Sequence, residues 1–298
     1  MFFCNRVVVQ APAKINLSLD ITGTTDNGYH TLDTIMQTID LCDIVVVGRR
    51  AGQDIRITCS RPNIPEGDTN IAHQAAVQFF AQVGLPVQGL SIHIDKIIPV
   101  EAGLAGGSAD AAAVLWGLNR LLETSLTTEQ LCAIGDKVGA DVPFCVVGGA
   151  CLAQGKGEIM TALPALPQNS FITIAKPPKG MNTRYAFKLY DTVADQLGHP
   201  DTAAMVAAMK AGELAEIGRC MFNVFEQVSP MDEVEMLKGI MLVDGAAGAV
   251  MSGSGSAVAG IFADEKKARR SAQNLKQVVE EAYLARPLTV GAQIIHVS

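Results

Sequence analysis

The segment Pro99-Val100-Glu101-Ala102-Gly103-Leu104-Ala105-Gly106-Gly107-Ser108-Ala109 has the composition of an anion cradle. Its glycines let backbone N–H groups crowd around a charge. A helix starting near Ser108 adds unsatisfied N–H groups and the positive end of its dipole. That is phosphate-binding chemistry of an unusual kind, because the P-loop pattern needs Gly-Lys followed by a hydroxyl residue, after four spacer positions. Gly155-Lys156 comes nearest to that pattern, and Gly157 follows where the hydroxyl belongs.

Three further clusters could act on a bound phosphate. Lys14 and Asn16 stand two apart in Ala11-Pro-Ala-Lys-Ile-Asn-Leu-Ser-Leu19, so a strand presents both on one face. Asp141 lies in Gly139-Ala-Asp-Val-Pro-Phe144, read as a helix-to-strand junction, and Met251-Ser-Gly-Ser-Gly-Ser-Ala257 is a small-residue loop before a strand. A lysine beside a migrating phosphoryl group neutralises charge, and a carboxylate accepts or orients a hydroxyl proton. Tyr29 and His30 follow the turn signal Asp26-Asn27-Gly28, a pairing that can stack on a planar base and hydrogen-bond to its edge. Taken singly, these residues read equally as a strand lysine, a turn-closing aspartate and hairpin decoration. The other histidines, His73, His93, His199 and His296, show no ligand spacing and read as structural or surface groups.

The elements that must position these groups follow from pattern. β-branched alternation predicts strands over 7–9, 14–21, parts of 34–47, and 55–59. Asn70 opens a helix over 71–83 that stops at Gly84. Residues 91–98 read as the strand feeding the glycine loop, and 109–122 as the helix leaving it. Thr127-Thr-Glu-Gln130 is a capping box for a helix reaching Val138, and 144–154 returns as a strand. In the second half, a strand over 171–175 precedes helices near 184–194, 201–211, 213–228 and 231–242. Strands over 248–251 and 256–262, a helix over 265–284 and a last strand over 293–297 complete a β-α-β-β-α-β, ferredoxin-like pattern. The expected division is into 1–165 and 166–298, with Pro164 and Pro167 at the boundary.

At 298 residues and 49% hydrophobic, the chain suits two cores. The seven cysteines form no CxxC pair and several sit in apolar runs, which predicts reduced core thiols and no structural zinc. The net charge of −7 disfavours nucleic acid as a partner. No membrane span and no leader signal is visible, so the expected location is cytoplasmic. Phosphate binding by such an acidic chain must rely on helix ends, a few lysines and a divalent cation. The Ser108 hydroxyl is a group of the kind that reaches magnesium, although no acidic ligand set is evident.

Together these clusters resemble the small-molecule kinase superfamily of galactokinase, homoserine kinase, mevalonate kinase and phosphomevalonate kinase, with 99–109 as its second motif and Gly253-Ser-Gly255 as its third. Lys14-Ile-Asn16, Asp26-Asn-Gly-Tyr-His-Thr-Leu32 and Gly139-Ala-Asp-Val-Pro-Phe144 are similar to the branch acting on 4-diphosphocytidyl-2-C-methyl-D-erythritol. The resemblance implies a two-domain α+β fold, with an N-terminal ATP-binding and catalytic domain and a C-terminal substrate domain. It implies ATP with Mg2+, and transfer of the γ-phosphoryl to the 2-hydroxyl of that cytidyl substrate in isoprenoid precursor synthesis. Another kinase of the superfamily, or a non-catalytic nucleotide-binding protein, are the alternatives. By position, Lys14 and Asp141 match the catalytic pair, Pro99 to Ala109 the phosphate loop, and Asn70 and Lys96 the adenine and ribose side. Asn16, Tyr29, His30 and Thr183 match substrate contacts, and Phe187, or else Tyr185, a second aromatic wall for the base. Ala105 and Ala109 stand where the family pattern has glycine and serine.

Overall fold

A computed structural model describes residues 5–25, 28–62, 64–228 and 230–298. Asp26 and Asn27, which open the expected turn before Tyr29, lie outside the described residues, as do residues 1–4 of the chain start. The first sheet is built on two long strands, β1 (Arg6–Thr24) and β2 (His30–Arg49), paired antiparallel with irregularities at Pro12/Lys14, Asn16/Ser18 and Ile21/Gly23. Strand β3 (Ile55–Cys59), helix α1 (Ile71–Val83) and strand β4 (Leu90–Asp95) follow, with β4 on β2 and β3 parallel to β4. Residues 11–21 of β1 are buried without a break, because α2 (Gly106–Leu121) packs on this strand while Leu19 and Ile21 join the core of the second half with Val224 and Phe225. Alternating exposure appears only at the start of β1, where one face is uncovered, and residues 22–24 at its end are all exposed.

The helix ends were encoded locally. Asn70 caps α1 by accepting from the Ala72 N–H, and Gly84 closes it at φ 68°. Both halves of the Thr127/Gln130 capping box form at α3 (Thr128–Asp136). Beyond that point the structure departs from expectation. Residues 142–147 form a short helix, α4 (Val142–Val147), and only Ala150–Gly155 becomes strand β5, which pairs with β2 and with β6 (Ile159–Leu163). Pro143 has no N–H for a ladder but suits a first helical turn, and Gly148 and Gly149 at φ 73° and 82° end that turn. Asp141 therefore sits between two helices, at the start of α4, rather than at a helix-to-strand junction.

The second sheet is antiparallel, in the order β11-β7-β10-β9, from β7 (Phe171–Lys176), β9 (Gly248–Met251), β10 (Val258–Phe262) and β11 (Glu281–Ala285). Helices α9 (Asp232–Val243) and α10 (Glu265–Leu275) pack on it, giving the ferredoxin-like arrangement. Its last strand is β11, not 293–297. Residues 281–285, Glu-Ala-Tyr-Leu-Ala, favour helix by composition, yet pairing with β7 converts them to strand. Strand β12 (Gln293–Val297) instead returns to the first sheet beside β1.

The helix expected over 213–228 is also divided. Between α7 (Leu214–Cys220) and α8 (Val224–Val228), Phe222–Asn223 forms a short strand, β8, parallel to Ser18–Leu19 of β1. Helices α5 (Thr183–Val193) and α6 (Thr202–Ala211) complete the set, and no described helix is long and apolar enough to cross a membrane.

Candidate active site

A cleft of about 930 Å3 runs between the glycine loop, β1, the start of α4 and the start of α5. Residues 99–107 line one wall. Within that loop Glu101, Gly103 and Ala105 adopt φ values of 52°, 75° and 55°, so every second residue is left-handed and the chain winds tightly into α2. The helix begins at Gly106, two residues before the expected start. Ala105 accepts from the Ala109 N–H at 2.9 Å but has no side chain to cap the preceding amides. The N–H groups of Gly106, Gly107 and Ser108 thus have no partner within the helix, where its dipole favours an anion. Ala109 is buried in the helix, and neither it nor half-buried Ser108 lines the cleft.

The loop is locked to the second half of the chain. The Ser252 hydroxyl donates to the Gly103 carbonyl at 2.9 Å and accepts the Asn16 N–H at 3.0 Å. A Cβ on Gly103 would stand 1.9 Å from the Ser252 carbonyl oxygen, so only glycine fits that approach. Asn223 of β8 donates to the carbonyls of Met251 and Gly253, 2.7 Å each, and holds the 252–256 loop from the other side. Neither Ser252 nor Asn223 was picked out from sequence. Ser252 lay inside a loop read as a unit, and Asn223 was hidden in what read as continuous helix.

Lys14 and Asp141 meet in this cleft. The Lys14 ammonium is almost fully buried, donates to Asn16 Oδ1 at 2.6 Å, and lies 3.7 Å from Asp141 Oδ2. Asn16 is oriented in turn by donating to Thr34 Oγ1 at 2.7 Å. The Asp141 side chain is 40% exposed and makes no capping bond to its own helix, which leaves carboxylate oxygen free to meet a ligand. Here a cation and a carboxylate flank the same space.

Lys96 and Asn70 also line the cleft. Asn70 is occupied by local structure: its Oδ1 caps α1 and its amide donates to the Pro65 carbonyl at 2.7 Å. The Lys96 ammonium, placed on the adenine and ribose side by position, is turned between two buried carboxylates, Asp43 at 2.6 Å and Asp110 at 2.5 Å. A buried ammonium needs such partners. Burial pulls its pKa down, but Asp110 and Asp43 outweigh that and hold it above the ordinary lysine value. Burial pushes the Asp110 carboxyl well above the usual range, against the opposing pull of Lys96.

At the far end, Phe187 lines the cleft together with Leu19, Leu32, Met181 and Phe225, whereas Tyr185 is 57% exposed and lies outside the lining. Thr183 reaches Ser254, oxygen to oxygen, at 2.8 Å. His30 stacks on Phe187, with centroids 4.7 Å apart and rings 26° from parallel, and its Nε2 is 2.7 Å from Asp191. Tyr29 is 59% exposed and, like His30, is not part of the lining, but the Lys156 ammonium, which is, sits 4.4 Å from its ring centroid. Lys156 is a cation at the cleft that sequence reading passed over, having set it aside with the failed P-loop pattern.

The six described cysteines, Cys42, Cys59, Cys132, Cys145, Cys151 and Cys220, are free thiols. Burial pushes Cys42 and Cys132 up to about 11 and Cys151 up to about 12.

Comparison with known proteins places this geometry in context. Residues 70–149 match the family described as GHMP kinases N terminal domain, and residues 205–281 match GHMP kinases C terminal. The chain is 42% identical over 278 residues to the 4-diphosphocytidyl-2-C-methyl-D-erythritol kinase of Caldicellulosiruptor bescii, covering 93% of this chain and 96% of that protein. It is 40% identical over 283 residues to the protein of the same name from Bacillus pumilus, with 94% and 96% covered. A crystal structure of a 4-(cytidine 5'-diphospho)-2C-methyl-D-erythritol kinase superposes with TM-score 0.78 at 31% identity, over 94% of this chain and 98% of that one. A homoserine kinase from Cytophaga hutchinsonii shares the fold, with TM-score 0.80 at 21% identity and 99% of both chains covered.

Proposed function

This chain belongs to the 4-diphosphocytidyl-2-C-methyl-D-erythritol kinase family of the GHMP kinases, and on that premise we propose that it transfers the γ-phosphoryl of ATP to the 2-hydroxyl of that cytidyl-linked alcohol. The observation that carries the reading is the facing pair Lys14 and Asp141 in a cleft bounded by the free amides of α2. Phosphoryl transfer leaves a protein mainly to position its reactants and stabilise charge, and this cleft has the parts for both.

In the proposed reaction the triphosphate lies against the amides of Gly106 and Gly107, its nucleoside toward Asn70. The substrate's 2-oxygen bonds to the γ-phosphorus as the bond from that phosphorus to the β,γ-bridging oxygen breaks, and ADP leaves. The hydroxyl proton passes to the Asp141 carboxylate. Lys14, fixed by Asn16, neutralises charge on the moving group. Tyr29 and Phe187 flank the cytosine while His30 hydrogen-bonds to its edge, and Asn16 and Thr183 contact the substrate. Stacking of this kind contributes on the order of 1–3 kcal/mol per base.

Magnesium suits the donor set. Among the described residues no three His, Cys, Asp or Glu side chains gather as a cage, and Mg2+ carried on substrate phosphates asks for only one or two carboxylates. The ion would be held by the triphosphate oxygens beside the Gly106 and Gly107 amides and, when bound, would offset charge developing on the phosphoryl group, leaving the Asp141 carboxylate to the hydroxyl proton. We further propose that residues 1–165 form the ATP-binding and catalytic part and 166–298 the substrate part, with β12 returning to the first sheet, and that the enzyme works in the cytoplasm.

The test is ADP release from MgATP in the presence of the cytidyl alcohol, homoserine or mevalonate. Release confined to the cytidyl alcohol supports the assignment. Equal rates with homoserine would overturn the substrate, and no release with any acceptor would overturn the kinase reading.

A further inference from the structure

One buried cluster of charge holds the phosphate loop at both of its ends. Lys96 is the first residue after β4, Asp43 lies in β2, and Asp110 lies in the second turn of α2. Their side chains meet at the Lys96 ammonium, 2.6 Å from Asp43 Oδ2 and 2.5 Å from Asp110 Oδ2. The other oxygen of Asp43 accepts the N–H groups of Ile97 and Ile98, at 2.6 and 2.8 Å, the last residues before the loop departs. Where the loop ends, a Cβ added to Gly106 would stand 3.0 Å from the Lys96 nitrogen. The ammonium therefore lies against the first residue of α2.

We propose that Lys96 is a positioning residue for the ATP phosphates: gripped by Asp43 and Asp110, its ammonium sets the first turn of α2, and with it the Gly106 amide, against the end of β4. This rests on the assignment of that turn as the phosphate site. It gives Lys96 a task different from contact with adenine or ribose. Two of its three N–H donors are already engaged by acidic side chains, and the space that a Cβ on Gly106 would take lies 3.0 Å from its nitrogen. The two acidic groups offset the ammonium, so what the cluster supplies is position: a turn held this way needs no rearrangement when the triphosphate arrives. Asp43 and Asp110 act through Lys96 and through the two loop amides rather than on the nucleotide.

The experiment compares three probes, ATP, inorganic tripolyphosphate and adenosine, by calorimetry or ligand-observed NMR. They are titrated into full-length wild type and into the Lys96→Met, Asp110→Ala and Asp110→Asn variants. Lys96→Met and Asp110→Ala are expected to weaken ATP and tripolyphosphate by about tenfold or more, the scale of a lost charge-assisted contact, with adenosine within about twofold. Asp110→Asn, which keeps an oxygen for Lys96, is expected to stay within about threefold of wild type for all three. If Lys96→Met does not fold, the two Asp110 variants decide the matter. A loss of adenosine affinity equal to that of ATP would overturn the proposal, as would unchanged tripolyphosphate binding in Asp110→Ala. Wild type that bound neither ATP nor tripolyphosphate would remove the phosphate site itself, and this inference with it.

Discussion

The ammonium of Lys14 stands 3.7 Å from the carboxylate of Asp141, although one belongs to a central strand and the other to the start of a helix more than a hundred residues later. Their separation exceeds a direct hydrogen bond, and the Asp141 side chain is 40% exposed. Neither group is neutralised by a tight pair, so both can respond to an incoming phosphoryl group and hydroxyl.

Asp141→Asn and Lys14→Ala should each lower turnover by at least ~100-fold, the scale of a positioned acid-base group. For Asp141→Asn the melting temperature should stay close to wild type, because that side chain makes no capping bond. Steady-state kinetics beside a thermal melt tests this, and near-normal turnover would take both residues out of the chemistry.

Phe187→Ala should raise the KM for the cytidyl alcohol by about tenfold, equivalent to ~1.4 kcal/mol of stacking, and leave the KM for ATP nearly unchanged. Tyr29→Ala should act in the same direction. The reverse order of KM changes would place the base-binding wall elsewhere in the cleft.

Gly103→Ala should disrupt the site from within. At φ 75° with a Cβ 1.9 Å from the Ser252 carbonyl, the substitution combines backbone strain of about 1–2 kcal/mol with a contact that can be relieved only by moving backbone. Loss of ATP affinity together with a lowered melting temperature is the expected result. A wild-type melt would mean that the loop and the 252–256 segment do not approach so closely.

Asp110 should leave a signature in the pH dependence of stability. Burial, opposed by Lys96, keeps its proton on to a higher pH in the folded protein than the ~3.9 of an unfolded aspartate. Between the two values the folded state carries the extra proton, so this contribution is present below about pH 4 and is lost as pH rises through the raised pKa. Melting curves recorded from acid to neutral pH should therefore fall away in wild type relative to Asp110→Asn. Parallel curves would count against the shift.

Much of the site was legible because it is written in short, local signals. Asn70, Gly84 and the Thr127/Gln130 box mark helix ends through bonds made within four residues, and the loop at 99–107 carries its own glycines. Misreadings fell where a local signal was outweighed by pattern or where long-range contact overrode local preference. The Val-rich stretch after Asp141 folded as helix because Pro143 had no donor for a sheet, while the helix-favouring residues 281–285 became strand on meeting β7.

From the amino-acid order alone came the anion-binding loop, the Lys14/Asn16 face, the ferredoxin-like second half and the resemblance joining them, since these depend on neighbours along the chain. The meeting of Lys14 with Asp141, the seating of Gly103 on Ser252, the hold of Asn223 on the neighbouring loop and the enclosure of Lys96 by Asp43 and Asp110 came only with the tertiary structure. Such contacts join residues from 14 to 149 positions apart, and local propensity carries no record of which distant surfaces will be buried against each other.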